Sequence, residues 1–531
     1  MSPWIVPAVV FGVLAIWVCY DLLQKKHAII RNFPIIGHFR YWLEAIGPEL
    51  RQYIVTSNNE ERPFSRDERR WVYASSKKEN NYFGFGTDND LEQSPNFLVI
   101  KHAPFPINDA MPSDERYDDL YRIPSAKVLG APRGRKHAFR LPSIINVSAM
   151  SFGSLSAPAV EALNRGCQIS ESLQNTGEGG ISPHHTHGGA LIWQIGTGYF
   201  GCRNADGGFD ESRFVDTVER HNVRAIEIKL SQGAKPGRGG VLPAAKITKE
   251  IAEIRGIPLG KDCISPSSHR EFHDVDSLLD FVERLADLTG RPVGIKSAVG
   301  ELEFWTDLAI QMKTTGRGVD YIAIDGGEGG TGAAPLTFTD HVALPFKLGF
   351  ARVHDEFVKQ NLHQQVMFFG AGKLGFPERA LAAMALGCDA VYVAREPMLA
   401  IGCIQAQKCH SGHCPTGVAT QNKWLIKGLD PTHKAARLAN YVVTLRKEIL
   451  QLSHACGFVH PSLVPTNRFE ILDECFQARP LDKVFHMSES DALPSPEDCA
   501  TITKLMASTK RWAAEHSIYG SNKPHLEKVT V

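Results

Sequence analysis

Tyr321–Gly332 reads YIAIDGGEGGTG, a short apolar run that passes directly into a glycine-rich loop. Tyr321–Asp325 has the apolar and β-branched residues that are typical of a buried strand. Five of the seven residues after Asp325 are glycines. Glycine lets the backbone come close to a flat or anionic ligand. The stretch therefore predicts a buried strand whose carboxyl end carries a ligand-binding loop.

Seven further short, mostly apolar runs recur along the chain, at Ile144–Met150, Leu173–Thr176, Ala225–Leu230, Cys263–Ser265, Val293–Lys296, Val366–Phe369 and Ala390–Ala394. Helix-like segments separate several of them, at Ala157–Gly166, Val275–Thr289 and Pro377–Leu386. Strands that alternate with helices predict parallel pairing and βαβ units. Eight units within residues 121–425 predict an α/β fold, a (β/α)8 TIM barrel, rather than an open sheet. In that fold the loops after the strands carry the chemistry.

The composition is that of an ordinary globular protein of 531 residues. Lys and Arg total 58, Asp and Glu total 58, and the formal net charge is zero, so nothing indicates a nucleic-acid partner. The 11 cysteines are mostly scattered. In an enzyme of cytosolic type, scattered cysteines indicate reduced thiols rather than a disulfide framework.

The first residues predict a membrane anchor. Trp4–Tyr20 contains no charged residue, and with Leu22 and Leu23 the segment reaches the length of about 20 residues that spans a bilayer. Lys25, Lys26, His27 and Arg31 follow it. By the positive-inside rule they hold the body in the cytoplasm, attached to the cell membrane by one pass. A buried core helix is the alternative, and the charge pattern of a cleaved signal peptide is lacking.

The flanking regions carry no chemical motif. We predict an anchor over residues 1–24, an N-terminal cap over residues 25–120, and a helical extension over residues 426–531 after the barrel. Docking, or assembly into a homo-oligomer, is the expected role of the extension.

Three cysteines lie close together after the last predicted strand. Cys403, Cys409 and Cys414 are separated by five and then four residues in a polar segment. Thiolates so close in sequence favour an iron–sulfur cluster or zinc. Zinc completed by His410 or His413, and buried free cysteines, remain alternatives at this point.

The loops after the predicted strands carry the other candidate site residues. Gly370–Gly375 (GAGKLG) is a second glycine-rich loop, and in barrels the loops after strands seven and eight bind phosphate. Gly372 and Lys373 are therefore candidates to hold a phosphorylated cofactor such as FMN.

Lys229, Lys235 and Lys296 stand at or beyond strand ends, where a lysine stabilises a reduced flavin or clamps a carboxylate. Glu178 is an acid–base candidate. The run His184, His185 and His187 could bind metal, although loop histidines are usually solvated.

The order of motifs resembles a known family. NVSAMSFGSLS, NTGEGG, IKLSQGAKPGRGG, ISPSSH, DGGEGGTGAAP and C-x5-C-x4-C-PTGVATQ are similar to the FMN-binding synthase domain of glutamate synthase over about residues 120–425. The whole chain most resembles stand-alone members with an N-terminal hydrophobic segment. The resemblance implies FMN beside a 3Fe–4S cluster, and reductive amination of 2-oxoglutarate to L-glutamate by hydride from reduced FMN.

The resemblance also implies roles for individual residues. The cluster ligands would be Cys403, Cys409 and Cys414, without a histidine. Glu178 and Lys235 would be catalytic, and the dicarboxylate would be held by Gln232, Lys235 and Arg255. The residues expected to contact FMN are Met150, Ser151, Gly153, Gln194, Lys296, Gly329, Gly330, Thr331, Gly372 and Lys373.

Three departures from the family pattern keep alternatives open. A glutaminase domain is lacking, so ammonia would be free or supplied by a partner. Glu328 enlarges a glycine loop that usually reads DGGTG, and GAGKLG replaces the usual GGLKTG. A different 2-oxo acid or amino acid, or an electron-transfer subunit without turnover, are the alternatives. No dinucleotide-binding fingerprint is assigned, so a ferredoxin or flavoprotein is the expected electron donor.

Overall fold

A computed structural model describes residues 4–518 of the chain. The chain forms two compact units, Met1–Arg69 and Arg70–Val531.

The first unit contains one long apolar helix, Ile5–Leu23, followed by Ala28–Asn32, Ile36–Leu50 and the short π-helix Arg51–Val55. Nineteen residues at about 1.5 Å each rise about 28 Å, close to the thickness of a hydrocarbon core. The apolar side chains of the helix are largely exposed. Asp21, near its end, is buried because its carboxylate accepts the Ile35 N–H at 2.8 Å and pairs with His38 at 2.9 Å. Among the described residues, this is the one helix long and apolar enough to cross a membrane.

The second unit is built around a closed barrel of eight parallel strands, which confirms the predicted fold. We number the barrel strands in chain order: β1 Ile145–Val147, β2 Leu173–Asn175, β3 Ala190–Ile195, β4 Val223–Lys229, β5 Val293–Ser297, β6 Tyr321–Asp325, β7 Met367–Ala371 and β8 Ala390–Val393. Each strand pairs with its neighbour in sequence, and β8 closes the barrel on β1, with Val391 opposite Ile145. Nearly all residues of the eight strands are buried.

One of the predicted strands is wrong, and one real strand is missing from the prediction. Cys263–Ile264 is not in the barrel. It pairs antiparallel with Val241–Leu242 in a small hairpin, where Ile264 is 71% exposed. The strand missing from the prediction is β3, Ala190–Ile195 (ALIWQI), in which every residue is buried. The two errors compensate, so the count of eight and the numbering of the last four strands are right.

Helices lie between most successive strands, at Ala157–Ser170, Glu211–Arg220, Lys249–Arg255, Val275–Thr289, Glu303–Thr315, Leu336–His341, Phe346–Lys359 and Pro377–Ala385, and the helix Arg395–Ala400 follows β8. Side chains cap several of them: Asp274, for example, accepts the Ser277 N–H at 2.8 Å. The connection between β2 and β3 has no α-helix. It contains only the 3-10 turn Pro183–His185.

Segments on both sides of the barrel sequence pack together. Leu98–Ile100 pairs antiparallel with Phe469–Leu472, which pairs in turn with Ala478–Pro480. The long helix Pro431–Ala455 packs on Ala157–Ser170, where a Cβ on Gly166 would lie 2.8 Å from that of Leu438. The remaining helices are Arg66–Lys77, Leu481–Phe485, Glu489–Ala492, Pro496–Ala507 and Thr509–Glu515. The extension predicted as helical therefore also contributes two strands.

Candidate functional site

An ion pair joins the loop after β2 to the carboxyl end of β4. Lys229 is the last residue of β4, and its Nζ donates to Glu178 Oε1 at 2.9 Å and to Gln232 Oε1 at 2.6 Å. Glu178 comes from the loop after β2, and its carboxylate lies against Gly240, where a Cβ would be 2.5 Å from Oε1. The structure thus brings Glu178 and Gln232 together through a lysine.

Arg255 also lies close to the loop that carries Glu178. Its Nη2 donates to the carbonyl oxygen of Phe152 at 3.0 Å and lies 3.5 Å from Ser151 Oγ. A Cβ on Gly179 would lie 2.9 Å from both Arg255 Nη2 and the Ser151 Cβ. Since Gly179 adjoins Glu178, the loop after β1, the loop after β2 and Arg255 converge at one point.

Lys235 completes this group of charges. Its side chain is buried, and Nζ donates to the carbonyl oxygen of Gly239 at 2.8 Å. Burial lowers the pKa of Lys235, and the neighbouring positive charge of Lys229 lowers it further. Burial alone would raise the pKa of Glu178, but the cations Lys229, Lys235 and Arg255 outweigh it, so the pKa is lowered. A carboxylate that stays ionised therefore faces three cationic groups.

Below the loops, the barrel interior holds a polar network that the sequence analysis did not identify. Glu227 of β4 is buried, and its Oε1 accepts Gln194 Nε2 at 2.7 Å and Asn175 Nδ2 at 2.8 Å. Its Oε2 accepts the hydroxyl of Tyr392 at 3.0 Å. Burial raises the pKa of Glu227, against the opposing effect of Lys296. Gln194 thus points into this network within the barrel.

Lys296 of β5 joins that network to the glycine loop after β6. Its Nζ lies 3.3 Å from Asp325 Oδ2. Burial lowers the pKa of Lys296, but Asp325 and Glu227 outweigh that effect and raise it, so the lysine is a cation. Asp325 Oδ2 also accepts the backbone N–H of Gly233 at 3.0 Å. Only glycine fits at position 233, because a Cβ there would lie 1.9 Å from the Gly326 oxygen.

Glu328 lengthens the glycine loop, and its carboxylate lies between the loops after β6 and β7, where Oε2 would be 3.1 Å from a Cβ on Gly372. Its carboxylate accepts the Phe346 N–H at 2.9 Å, at the start of the helix Phe346–Lys359. Its carbonyl oxygen accepts Arg395 Nη2. A Cβ on Gly330 would lie 3.2 Å from Arg395 Nη1. An arginine after β8 therefore flanks the predicted FMN-contacting glycines Gly329 and Gly330.

The loop after β7 has the spacing G-x-G-x-x-G, from Gly370 to Gly375. In an open α/β sheet that spacing marks a dinucleotide site. Here it lies in a closed barrel and leads into the helix Pro377–Ala385. Gly372 and Lys373 adopt φ angles of 153° and 54°. That this loop binds phosphate, as loops after the seventh strand of such barrels do, stays a prediction.

The three cysteines follow β8 and the helix Arg395–Ala400 on this face of the barrel. Cys403 Sγ accepts the Gln405 N–H at 3.4 Å, and Cys414 Sγ lies 3.5 Å from Thr416 Oγ1. Burial raises the pKa of Cys414, but backbone N–H groups, first that of Ala419, outweigh it, so the pKa is lowered. N–H donors aimed at sulfur stabilise a thiolate, the form that binds metal, whereas burial raises the pKa of Cys409.

The cysteine loop contacts the glycine loop directly. A Cβ on Gly332 would lie 2.9 Å from the backbone carbon of Cys409 and 3.0 Å from its Cβ. Lys246 Nζ donates to the carbonyl oxygen of Cys409 at 2.5 Å. The hydroxyl of Tyr73 donates to the carbonyl oxygen of Cys403 at 2.8 Å. The cysteines therefore lie at the edge of the site.

The predicted site residues thus fall into four neighbouring groups. Glu178 forms the ion pair with Lys229, around which lie Gln232, Lys235, Arg255, Ser151 and Gly153, and Met150 is buried. Gln194 and Lys296 belong to the network inside the barrel. Gly329, Gly330 and Thr331 lie in the loop after β6, and Gly372 and Lys373 in the loop after β7. The cysteine trio lies beside Gly332. The residues that sequence reasoning missed are Glu227, Asp325, Tyr392 and Arg395.

A signal for Glu227 was present in the sequence. In AIEIK the two charged residues are two positions apart, which puts both on one face of a strand. A carboxylate and an ammonium on the inner face of a barrel strand require partners there.

A closed barrel of parallel strands with charged side chains gathered at the strands' carboxyl ends defines a (β/α)8 barrel of the enzyme type. Residues 110–459 match the conserved region in glutamate synthase. The glutamate synthase large subunit-like protein YerD of Bacillus subtilis is 38% identical over 491 residues, which cover 86% of this chain and 93% of that protein. The chain belongs to the glutamate synthase family.

Glutamate synthases of the archaeal type are also similar. The archaeal glutamate synthase (NADPH) of Methanocaldococcus jannaschii is 35% identical over 324 residues, 60% of each protein. The archaeal-type glutamate synthase (NADPH) of Thermotoga maritima is 34% identical over 313 residues, 58% of each. This chain therefore spans about three fifths of those relatives' length.

Proposed function

We propose that this chain is a flavin- and iron–sulfur-dependent oxidoreductase that forms L-glutamate from 2-oxoglutarate and ammonia. The observation that carries the proposal is the carboxylate of Glu178, which pairs with Lys229 at 2.9 Å among Lys235 and Arg255. Family membership supports the same reaction.

The substrate is a dicarboxylate, and the site offers more cations than one carboxylate of the protein needs. Arg255 and Lys235 would each pair with one end of 2-oxoglutarate, and Gln232 would donate its amide N–H groups to it. Arg255 is anchored by the Phe152 carbonyl oxygen, and Lys235 by that of Gly239, so both cations are held before the substrate binds. Preorganisation of this kind lowers the entropy lost on binding.

Glu178 would hold the nitrogen. Ammonia condenses with the oxo group of 2-oxoglutarate and releases water, and the imine takes up one proton from solvent and so carries a positive charge. A fixed carboxylate beside the reacting carbon stabilises that charge. Addition of a hydride to the imine carbon then gives the neutral amine, which takes up one proton from solvent to become glutamate.

FMN fits the residues at the barrel mouth. The loop after β6 approaches the segment after β4 too closely for side chains at Gly233. Lys296 is a buried cation at a strand end, suited to the negative charge of a reduced flavin. Gly372, Lys373 and Arg395 would hold the phosphate, and Met150, Ser151 and Gly153 would line the ring. When bound, FMN supplies the hydride.

A 3Fe–4S cluster fits Cys403, Cys409 and Cys414. Three thiols with an N–H donor at Cys403 Sγ suit a thiolate-bound metal centre, and contact with the glycine loop together with family membership supports a redox cluster rather than zinc. When bound, the cluster supplies single electrons from an outside donor, for which we propose a ferredoxin or a flavoprotein.

The helix Ile5–Leu23 would anchor this enzyme in the cell membrane, with the barrel on the cytoplasmic side. Its length, its exposed apolar side chains and the basic residues after it support this role.

The test is a substrate panel. Purified protein with a reduced donor, ammonium and one 2-oxo acid at a time should form glutamate from 2-oxoglutarate at the highest kcat/KM. Faster turnover of another 2-oxo acid would assign the site to that substrate. Flavin that is reduced normally while no amino acid forms from any 2-oxo acid would show a subunit that only transfers electrons.

A further inference from the structure

A group of metal-binding side chains lies outside the charged site just described. Glu161, His184 and His187 each offer one ligand atom, and the three atoms lie within 4.8 Å of one another. We propose that these three residues bind a divalent transition-metal ion of the zinc class, at the side of the barrel mouth.

The three residues come from two elements that the fold holds together. Glu161 lies in the helix Ala157–Ser170, and the histidines lie in the turn between β2 and β3. The turn is fixed by buried His185, whose Nδ1 contacts Ser182 Oγ at 2.9 Å. The helix is tied to it through Asn164, whose Oδ1 accepts the His187 N–H at 2.9 Å. The ligand group is therefore supported on both sides.

The geometry needs little adjustment to close on an ion. His187 Nε2 lies 3.7 Å from Glu161 Oε2. In a tetrahedral zinc site with bonds of about 2.0–2.1 Å, ligand atoms lie about 3.4 Å apart. Rotation of the side chains, which are only half-buried, covers the difference. Three protein ligands leave a fourth position for water.

The surroundings resemble the second shell of a metal site. His184 Nε2 pairs with Glu250 Oε1 at 2.9 Å, and Glu161 Oε1 pairs with Arg165 at 2.7 Å. Histidine ligands oriented by a carboxylate, and carboxylate ligands held by a further hydrogen bond, are typical of such sites. Two carboxylates against one guanidinium leave a net negative charge, which favours a cation. Two imidazoles favour zinc, cobalt or nickel over calcium or magnesium.

The ion would brace the charged site. The ring of His184 lies 4.7 Å from that of Phe152, whose carbonyl oxygen accepts Arg255 Nη2 at 3.0 Å. Glu250 and Arg255 share the helix Lys249–Arg255. A metal at His184 would thus hold both the loop after β1 and that helix in place.

Cobalt(II) titration of the purified holoprotein tests the site without reference to turnover. We expect uptake of one ion with the weak visible bands of a nitrogen–oxygen site and no sulfur-to-cobalt charge-transfer band. His187→Ala and Glu161→Gln should each weaken this uptake at least tenfold. His273→Ala, which removes an exposed histidine beside Asp274, should leave it unchanged.

Two results would overturn the proposal. One is that the holoprotein takes up no cobalt(II) with nitrogen–oxygen spectra. The other is that His187→Ala and Glu161→Gln both bind cobalt(II) as tightly as the unchanged protein does. Zinc should also raise the Tm of the unchanged protein and not that of Glu161→Gln, which separates a bracing ion from a loosely bound one.

Discussion

At the scale of single residues, the proposed reaction depends on the ion pair formed by Glu178 and Lys229. The lysine ends a barrel strand, the carboxylate comes from a neighbouring loop, and the two meet at 2.9 Å. Each charge alone would be costly at this depth, and together they are stable. A positive group brought by the substrate would compete for the same carboxylate.

Glu178→Gln should therefore lower kcat for glutamate formation by about 10²–10³-fold, because a fixed charge that faces the reacting centre is worth that much. The KM for 2-oxoglutarate should change little, since the dicarboxylate contacts other residues. Steady-state kinetics with a chemical reductant measure both. Glu211→Gln, an exposed carboxylate paired with Arg284, is the control. A kcat like that of the control would remove Glu178 from the mechanism.

Lys235 should show a conflict between stability and function. Its folded-state pKa is below the unfolded value of 10.5 because of burial and Lys229. The unfolded chain therefore binds more protons between the two pKa values, so the lysine destabilises the fold at neutral pH, and this penalty disappears as pH rises towards 10.5.

Lys235→Met should accordingly raise the Tm at pH 7, and the gain should shrink in alkaline buffer. The same change should raise the KM for 2-oxoglutarate about 10- to 100-fold, since a charged hydrogen bond contributes about 1.5–3 kcal/mol. Thermal denaturation at several pH values and initial rates measure the two effects. A lower Tm at pH 7 together with an unchanged KM would contradict both assignments.

At the scale of elements, the cysteine loop and the glycine loop matter because they touch. Cys409 packs on Gly332, at the end of the loop that begins at Asp325. An electron carrier at the cysteines would therefore adjoin a flavin held by the glycine loop.

Cys409→Ala should abolish the broad visible absorbance of the cluster and the EPR signal of an oxidised three-iron centre, while flavin binding persists. Cys475→Ala, an exposed cysteine in the extension, should leave both spectra unchanged. If Cys409→Ala keeps the EPR signal, the cysteine trio does not hold the cluster.

The elements also show what the sequence can and cannot predict. Val275–Thr289 was predicted with its observed bounds because its apolar period and its Asp274 cap are both local signals. The assignment of Cys263–Ile264 to the barrel is wrong because two apolar residues fit a strand of a hairpin as well as a strand of a barrel. The choice between them depends on pairing with distant residues.

The same contrast holds for the site. Motif order was enough to gather Glu178, Gln232, Lys235 and Arg255 in one region. It was silent on Glu227 and Asp325, whose roles arise from contacts between strands that are far apart in sequence. In sequence Tyr392 is one more apolar residue of β8, and only the fold brings its hydroxyl to Glu227.

At the scale of the whole molecule, the proposed membrane anchor can be tested separately from the barrel. A variant without residues 1–24 should move from the membrane pellet to the supernatant and keep its flavin spectrum. Leu14→Lys, a charge in the middle of the exposed apolar helix, should weaken pelleting in the full chain. Retention of the shortened variant in carbonate-washed membranes would show that another segment attaches the protein.

The most direct test of the central claim is a single turnover followed through the flavin. With the protein reduced without oxygen, addition of 2-oxoglutarate or ammonium alone should leave the flavin bleached. Addition of both should restore its absorbance and yield one glutamate per flavin oxidised. Flavin that stays bleached with both present, or regains its colour without any glutamate, would contradict the account.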